Sequence, residues 1–135
     1  MRYNQSMATS DAIATVVQQI ALRFRPNRII LFGSHAYGKP RPDSDVDLLI
    51  IMRFTGHPAR KAAQIWRSID SNLPLDLLVR TPRQIATRVR GHDFFLCDVI
   101  RKGKVMYDAA DAGVDRKSRR RLQQRAQGAA GMKAA

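Results

Sequence analysis

Eight residues, Asp45-Val46-Asp47-Leu48-Leu49-Ile50-Ile51-Met52, constrain the fold of this 135-residue chain more than any others. The five apolar residues that close the run are long enough for a strand and carry no polar face. That pattern predicts a strand apolar enough to be central in a sheet. The two carboxylates at its entrance are the difficulty. Residues i and i+2 of a strand point to the same face, about 7 Å apart at their Cα atoms. Two unpaired charges there repel by a few kcal/mol at an effective dielectric of about 20. Such a pair needs a cation or a raised pKa.

The remaining segments supply what that strand requires. Ser10-Asp11 reads as the cap of a helix running to Phe24, with Ile13, Val16 or Val17, Ile20 and Phe24 on one side and Pro26-Asn27 as its stop. Arg28 to Phe32 (RIILF) reads as a strand broken by Gly33-Ser34. Pro58 to Ile69 reads as a helix that turns Ala62, Ile65, Trp66 and Ile69 inward. Leu75 to Val79 reads as a strand stopped by Thr81-Pro82, which also opens a helix through about Val89. Gly91 to Arg101 predicts a further short helix, and Lys104 to Tyr107 a last strand. No internal repeat is present. Strands alternating with helices imply an α+β fold of α/β layers, a small mixed β-sheet backed by helices, over residues 1–110. Residues 111–135 turn basic and then Ala/Gly-rich, and read as a disordered basic tail with room for a helical piece around Arg116–Gln127.

Charge and composition narrow the function. The net charge is +13, of which residues 111–135, with seven Lys/Arg and two Asp, hold +5 and residues 1–110 hold +8. A body this basic favours phosphate-bearing ligands or polyanions. No apolar run approaches the ~18 residues of a membrane span, and MRYNQSMATSD lacks the pattern of a signal peptide. The single Cys97 can form neither an internal disulfide nor a cysteine zinc site alone, so the expected compartment is the cytoplasm. All 11 acidic residues are Asp, which makes their clustering informative.

The stretch Gly33-Ser34-His35-Ala36-Tyr37-Gly38-Lys39-Pro40 follows the P-loop spacing up to its last position. There Pro40 stands where a Mg²⁺-binding hydroxyl belongs. Pro40 and Pro42 also forbid the helix whose amides would hold the phosphates. The stretch is not a P-loop. A strand ending in Gly33-Ser34 can nevertheless bring backbone and hydroxyl against phosphate oxygens, with Lys39 and Arg41 nearby as charge partners. Asp76 interrupts the apolar strand Leu73-Pro74-Leu75-Asp76-Leu77-Leu78-Val79 as Asp47 does its own. If the two strands are neighbours, Asp45, Asp47 and Asp76 converge into the carboxylate triad that two Mg²⁺ ions require for nucleotidyl transfer.

The compound motif G-S-x-x-x-G then S-D-x-D-L, Gly33 to Gly38 and Ser44 to Leu48, resembles the signature of DNA polymerase beta-like nucleotidyltransferases. The likeness covers about Asp11 to Asp108. It is greatest to the minimal nucleotidyltransferases encoded beside HEPN-domain proteins, several of which are type VII-like antitoxins that attach AMP to a toxin tyrosine. The resemblance implies that Asp45 and Asp47 bind both metals and that Asp76 completes the one activating the acceptor. It further implies that Gly33, Ser34 and Ser44 serve the nucleotide, ATP or another NTP, and that a HEPN toxin is the partner. Tyr37 stands where AMP-transferring antitoxins often carry Arg.

Plainer roles fit the rest. Asp43 suits a turn, Tyr37 packing over the loop, and Cys97 the core. His35, His57 and His92 lack metal spacing, and apolar positions in Phe94–Ile100 suit either the core or a partner contact. Two other functions fit the same sequence: a non-catalytic interaction protein that neutralises its partner by binding, and a nucleic-acid-binding module acting through the basic body and tail. A homo-oligomer is compatible with all three.

Overall fold

The computed structural model describes residues 2–41 and 43–112. The chain runs α1 (Arg2–Phe24), β1 (Arg28–Phe32), α2 (Ser34–Tyr37), β2 (Val46–Ile51), α3 (Pro58–Ser68), β3 (Leu75–Arg80), α4 (Pro82–Arg90), α5 (Phe94–Lys102), β4 (Lys104–Asp108) and α6 (Ala109–Ala112). The expected α+β architecture is present. Its four strands lie in the order β3-β2-β1-β4, so the apolar strand β2 is internal. β1 pairs antiparallel with both β2 and β4, and β2 pairs parallel with β3, making the sheet mixed. Between β2 and β3 the chain crosses over through α3, as parallel neighbours require.

Strand alternation divides the core in two. Ile29 and Leu31 of β1 and Val46, Leu48 and Ile50 of β2 face Ile13, Val16, Val17 and Ile20 of α1 and Ile65 of α3. Ile30 and Phe32, with Leu49 and Ile51, face the other way, onto Leu96 and Val99 of α5, with Ile85 of α4 packed beside them. Burial on both faces explains why β2 has no polar face after Asp47. α1 is further held by a reciprocal pair: Gln19 Nε2 donates to the Asp70 carbonyl at 3.2 Å, and the Asp70 amide to Gln19 Oε1 at 2.9 Å.

Local chemistry explains most element ends. Thr81 caps α4 in a capping box with Gln84, and Pro82 occupies its first turn. Asp93 caps α5 by accepting from the Leu96 amide at 3.0 Å, so that helix begins at Phe94 rather than near Gly91. Two further expectations are corrected. Ser10-Asp11 does not open α1, because residues 2–9 contain neither Gly nor Pro and the helix runs through from Arg2. Trp66 is 57% exposed, since the inward face of α3 is centred on Ile65 with Ala62 and Ile69 at i−3 and i+4. Cys97 is half-buried, its Sγ 3.9 Å from the Val89 carbonyl at the α4–α5 contact. No helix among the described residues is long and apolar enough to cross a membrane. The tail reading over residues 113–135 lies outside the described residues.

Candidate active site

Three elements meet at the entrance of β2. β1 delivers Phe32 opposite Asp47, and β3 delivers Asp76 in register with Asp47 on the other side. Asp47 shares its face with Leu49 and Ile51, and Asp76 shares that same face with Leu78, the face covered by α4 and α5. The parallel register therefore brings the two carboxyl groups together.

Gly33 is the third wall. Its φ of 78° lies in the region that favours glycine. A Cβ there would fall on Asp47 Oδ2 and lie 3.1 Å from the carboxyl carbon. Only a glycine lets the end of β1 pass this close to the carboxylate. The chain then turns into α2, with the Ala36 amide donating to the Gly33 carbonyl at 3.0 Å and the Gly38 amide to the Ser34 carbonyl at 2.9 Å. α2 thus sits between the two glycines and ends where a P-loop helix would begin. The Ser34 hydroxyl makes no hydrogen bond among the described residues and is available to a ligand.

Ser44 holds the following loop closed. Its Oγ accepts from the Arg41 amide at 2.8 Å, its own amide donates to the Arg41 carbonyl at 3.0 Å, and its carbonyl lies 3.2 Å from His35 Nε2. These bonds fix the chain just ahead of Asp45. His35 lacks metal spacing in the sequence, where its only signal is its place beside Ser34. It has an electrostatic part as well, since its ring favours the ionised form of Asp47. Lys39 and Arg41 are exposed beside the loop.

Half-buried Asp47 has its pKa pushed up, first by burial, then by the charges of Asp76 and Asp45 and by a hydrogen bond with Asp76. Asp45 precedes the strand and is exposed. Asp47 and Asp76 are therefore brought together, whereas no three carboxylate, imidazole or thiol groups among the described residues form a closed ligand group. The donor set still fits a hard cation: it is carboxylate oxygen throughout, and the charges of Asp76 and Asp45, which add to burial in lifting Asp47, are what a divalent ion offsets.

Residues 12–91 match the family model for the nucleotidyltransferase domain, a span holding Gly33, Ser34, Ser44 and all three aspartates. The chain belongs to the nucleotidyltransferase-domain family. Its fold agrees with the crystal structure of a nucleotidyltransferase candidate from Sulfolobus solfataricus. That likeness has a TM-score of 0.57 and 15% identity, covering 81% of this chain and 88% of that one. A crystal structure of a toxin-antitoxin with AMP-PNP overlaps at a TM-score of 0.46 and 18% identity, over 84% of this chain and 91% of that one. No curated protein matches the chain by sequence. Within this nucleotidyltransferase domain the family match ends at Gly91, ahead of α5 and β4.

Proposed function

We propose that this protein is a Mg²⁺-dependent nucleotidyltransferase that moves AMP from ATP to a hydroxyl acceptor. The acceptor indicated by the family resemblance is a tyrosine on a HEPN-type partner toxin, with the protein acting as its antitoxin. The observation that carries the reading is the pairing of Asp47 with Asp76 across parallel strands, with the Gly33 turn pressed against Asp47.

Asp45 and Asp47 would hold both Mg²⁺ ions, and Asp76 would complete the site on the acceptor side. When bound, the ions supply charge neutralisation for the triphosphate and lower the pKa of the acceptor hydroxyl. The Ser34 hydroxyl and the Gly33–Ser34 backbone orient the phosphates, and exposed Lys39 and Arg41 offset the remaining charge. The acceptor oxygen bonds to the α-phosphorus, the bond from that phosphorus to the bridging oxygen breaks, and pyrophosphate leaves. Asp76 is exposed and takes the acceptor proton.

The test uses ATP labelled at the α- or the γ-phosphate, added with Mg²⁺ to purified protein and host lysate, with Asp47→Asn as control. Label retained from the α position by wild type alone supports nucleotidyl transfer, and protease against nuclease treatment identifies the acceptor class. Transfer of the γ-label would mean kinase chemistry and overturns the proposal.

A further inference from the structure

The two aspartates at the entrance of β2 are not held alike. Asp47 lies inside the strand, and its backbone is fixed by the ladders to Phe32 on one side and Asp76 on the other. Asp45 precedes Val46, where the strand begins, and takes part in neither ladder. The Val46 amide, one residue later, donates to the Pro74 carbonyl at 2.7 Å. The segment ahead of Asp45 contains Pro40 and Pro42, which have no amide to donate. The direction in which Asp45 leaves this loop has to be set by another contact.

His35 makes that contact. Its Nε2 lies 3.2 Å from the Ser44 carbonyl, in a part-buried position. A carbonyl only accepts, so Nε2 carries the proton here. Both ends of the bond are stiff. The His35 backbone belongs to α2, which the Ala36 and Gly38 amides close onto the Gly33 and Ser34 carbonyls, and a Cβ on Gly38 would lie only 3.1 Å from the Ser34 Cα. Ser44 is closed onto Arg41 through its own amide at 3.0 Å and its hydroxyl at 2.8 Å. Among the described residues, no other hydrogen bond joins α2 to the loop between Lys39 and Asp45. Because His35 directly follows Ser34, this bond ties the phosphate-side turn to the residue before Asp45.

We infer that His35 is a positioning residue: its bond to Ser44 sets Asp45 beside Asp47, so that the two carboxylates meet the same divalent cation. The inference rests on the metal-dependent reading above and deepens it. Asp47 needs no such help, because the sheet holds it. The His35 ring also favours the ionised form of Asp47, so the bond and the charge have to be told apart.

The measurement is Mn²⁺ affinity, read from the electron paramagnetic resonance signal of free Mn²⁺ as it is titrated into the full-length protein with a non-hydrolysable ATP analogue. His35→Leu removes both the donor and the charge, and His35→Ala does so without the bulk of leucine. His35→Gln drops the charge and keeps an amide donor of similar reach. His35→Leu and His35→Ala should each weaken Mn²⁺ binding about 10-fold or more, as loss of a group that orients a metal ligand does. His35→Gln should bind close to wild type. Asp45→Asn should also weaken binding, and His35→Leu added to it should cost little more, because both act through one carboxylate. A circular-dichroism melt in EDTA verifies that each variant is folded. Wild-type affinity in His35→Leu or His35→Ala overturns the inference. So does a His35→Gln as weak as His35→Leu, which assigns the effect to charge, and so do losses at His35 and Asp45 that multiply. Wild-type protein that takes up no Mn²⁺ sinks the proposed function itself, and the inference falls with it.

Discussion

The two faces of the sheet are built from the same strands and do different work. Among the described residues, twelve buried apolar side chains form the core on the α1–α3 face, and six form the one beneath α4 and α5. The smaller core leaves room on its face for Asp47, Asp76 and the exposed rings of Tyr37, Phe94 and Phe95. The larger core carries the stability that the open face gives up. Each of β1, β2 and β3 serves both purposes because its side chains alternate. Leu48 and Asp47 are adjacent in sequence, yet one is fully buried and the other lies at the candidate site.

Substitutions on either face can break or sharpen that division. The largest expected effect is on activity. Asp47→Asn should lower transfer of α-label by about 10³-fold or more, the several kcal/mol that metal-held charge supplies. Retained transfer would remove the open face from the chemistry. On the closed face, Leu48→Ala should cost about 2–5 kcal/mol of stability by urea denaturation, since the side chain is fully buried. Gly33→Ala should cost about 1–3 kcal/mol, because the residue has φ 78° and its Cβ would strike Asp47. A neutral result would mean that the turn does not press on the carboxylate. At Phe94, 86% exposed, replacement by Ala should change stability by less than about 0.5 kcal/mol.

The smallest effect carries a sign worth checking. The pKa of Asp47 is raised in the folded protein above its ordinary 3.8, so its contribution favours folding below that value and is lost as pH rises through the raised one. Asn at this position does not titrate. In EDTA at pH 7, Asp47→Asn should therefore melt above wild type, and the gap should close as pH falls toward 3.8. Adding Mg²⁺ should raise the wild-type melting temperature and leave the variant unmoved. A variant that melts below wild type in EDTA would show that Asp47 is stabilised rather than strained by its neighbours.

Much of this was legible in the sequence because breakers and caps are local. Pro26, Gly33 and Thr81-Pro82 mark element ends through backbone chemistry that needs no tertiary context. The apolar run after Asp47 announced an internal strand, and the chain places it between β1 and β3. What stayed hidden depends on long-range packing. The spacing of Asp45 and Asp47 cannot say which of them meets Asp76. The parallel register decides for Asp47, and Asp45 remains exposed ahead of the strand. The outward turn of Trp66 depends on which residue centres the face of α3. The anchoring of Phe95 on Phe32 joins residues far apart in the chain and has no sequence signature.

The central claim is that Asp47 and Asp76 form the core of a divalent-metal site beside the Gly33–Ser34 turn. The most direct measurement is a crystal structure with Mn²⁺, which accepts the oxygen ligands of Mg²⁺, and a non-hydrolysable ATP analogue, using anomalous scattering to locate the metal. The account predicts anomalous density between the carboxylates of Asp47 and Asp76, joined by Asp45, with the analogue's phosphates against Gly33 and Ser34. Metal bound elsewhere, or phosphates lying away from that turn while Asp47 and Asp76 stay hydrogen-bonded to each other, would contradict it.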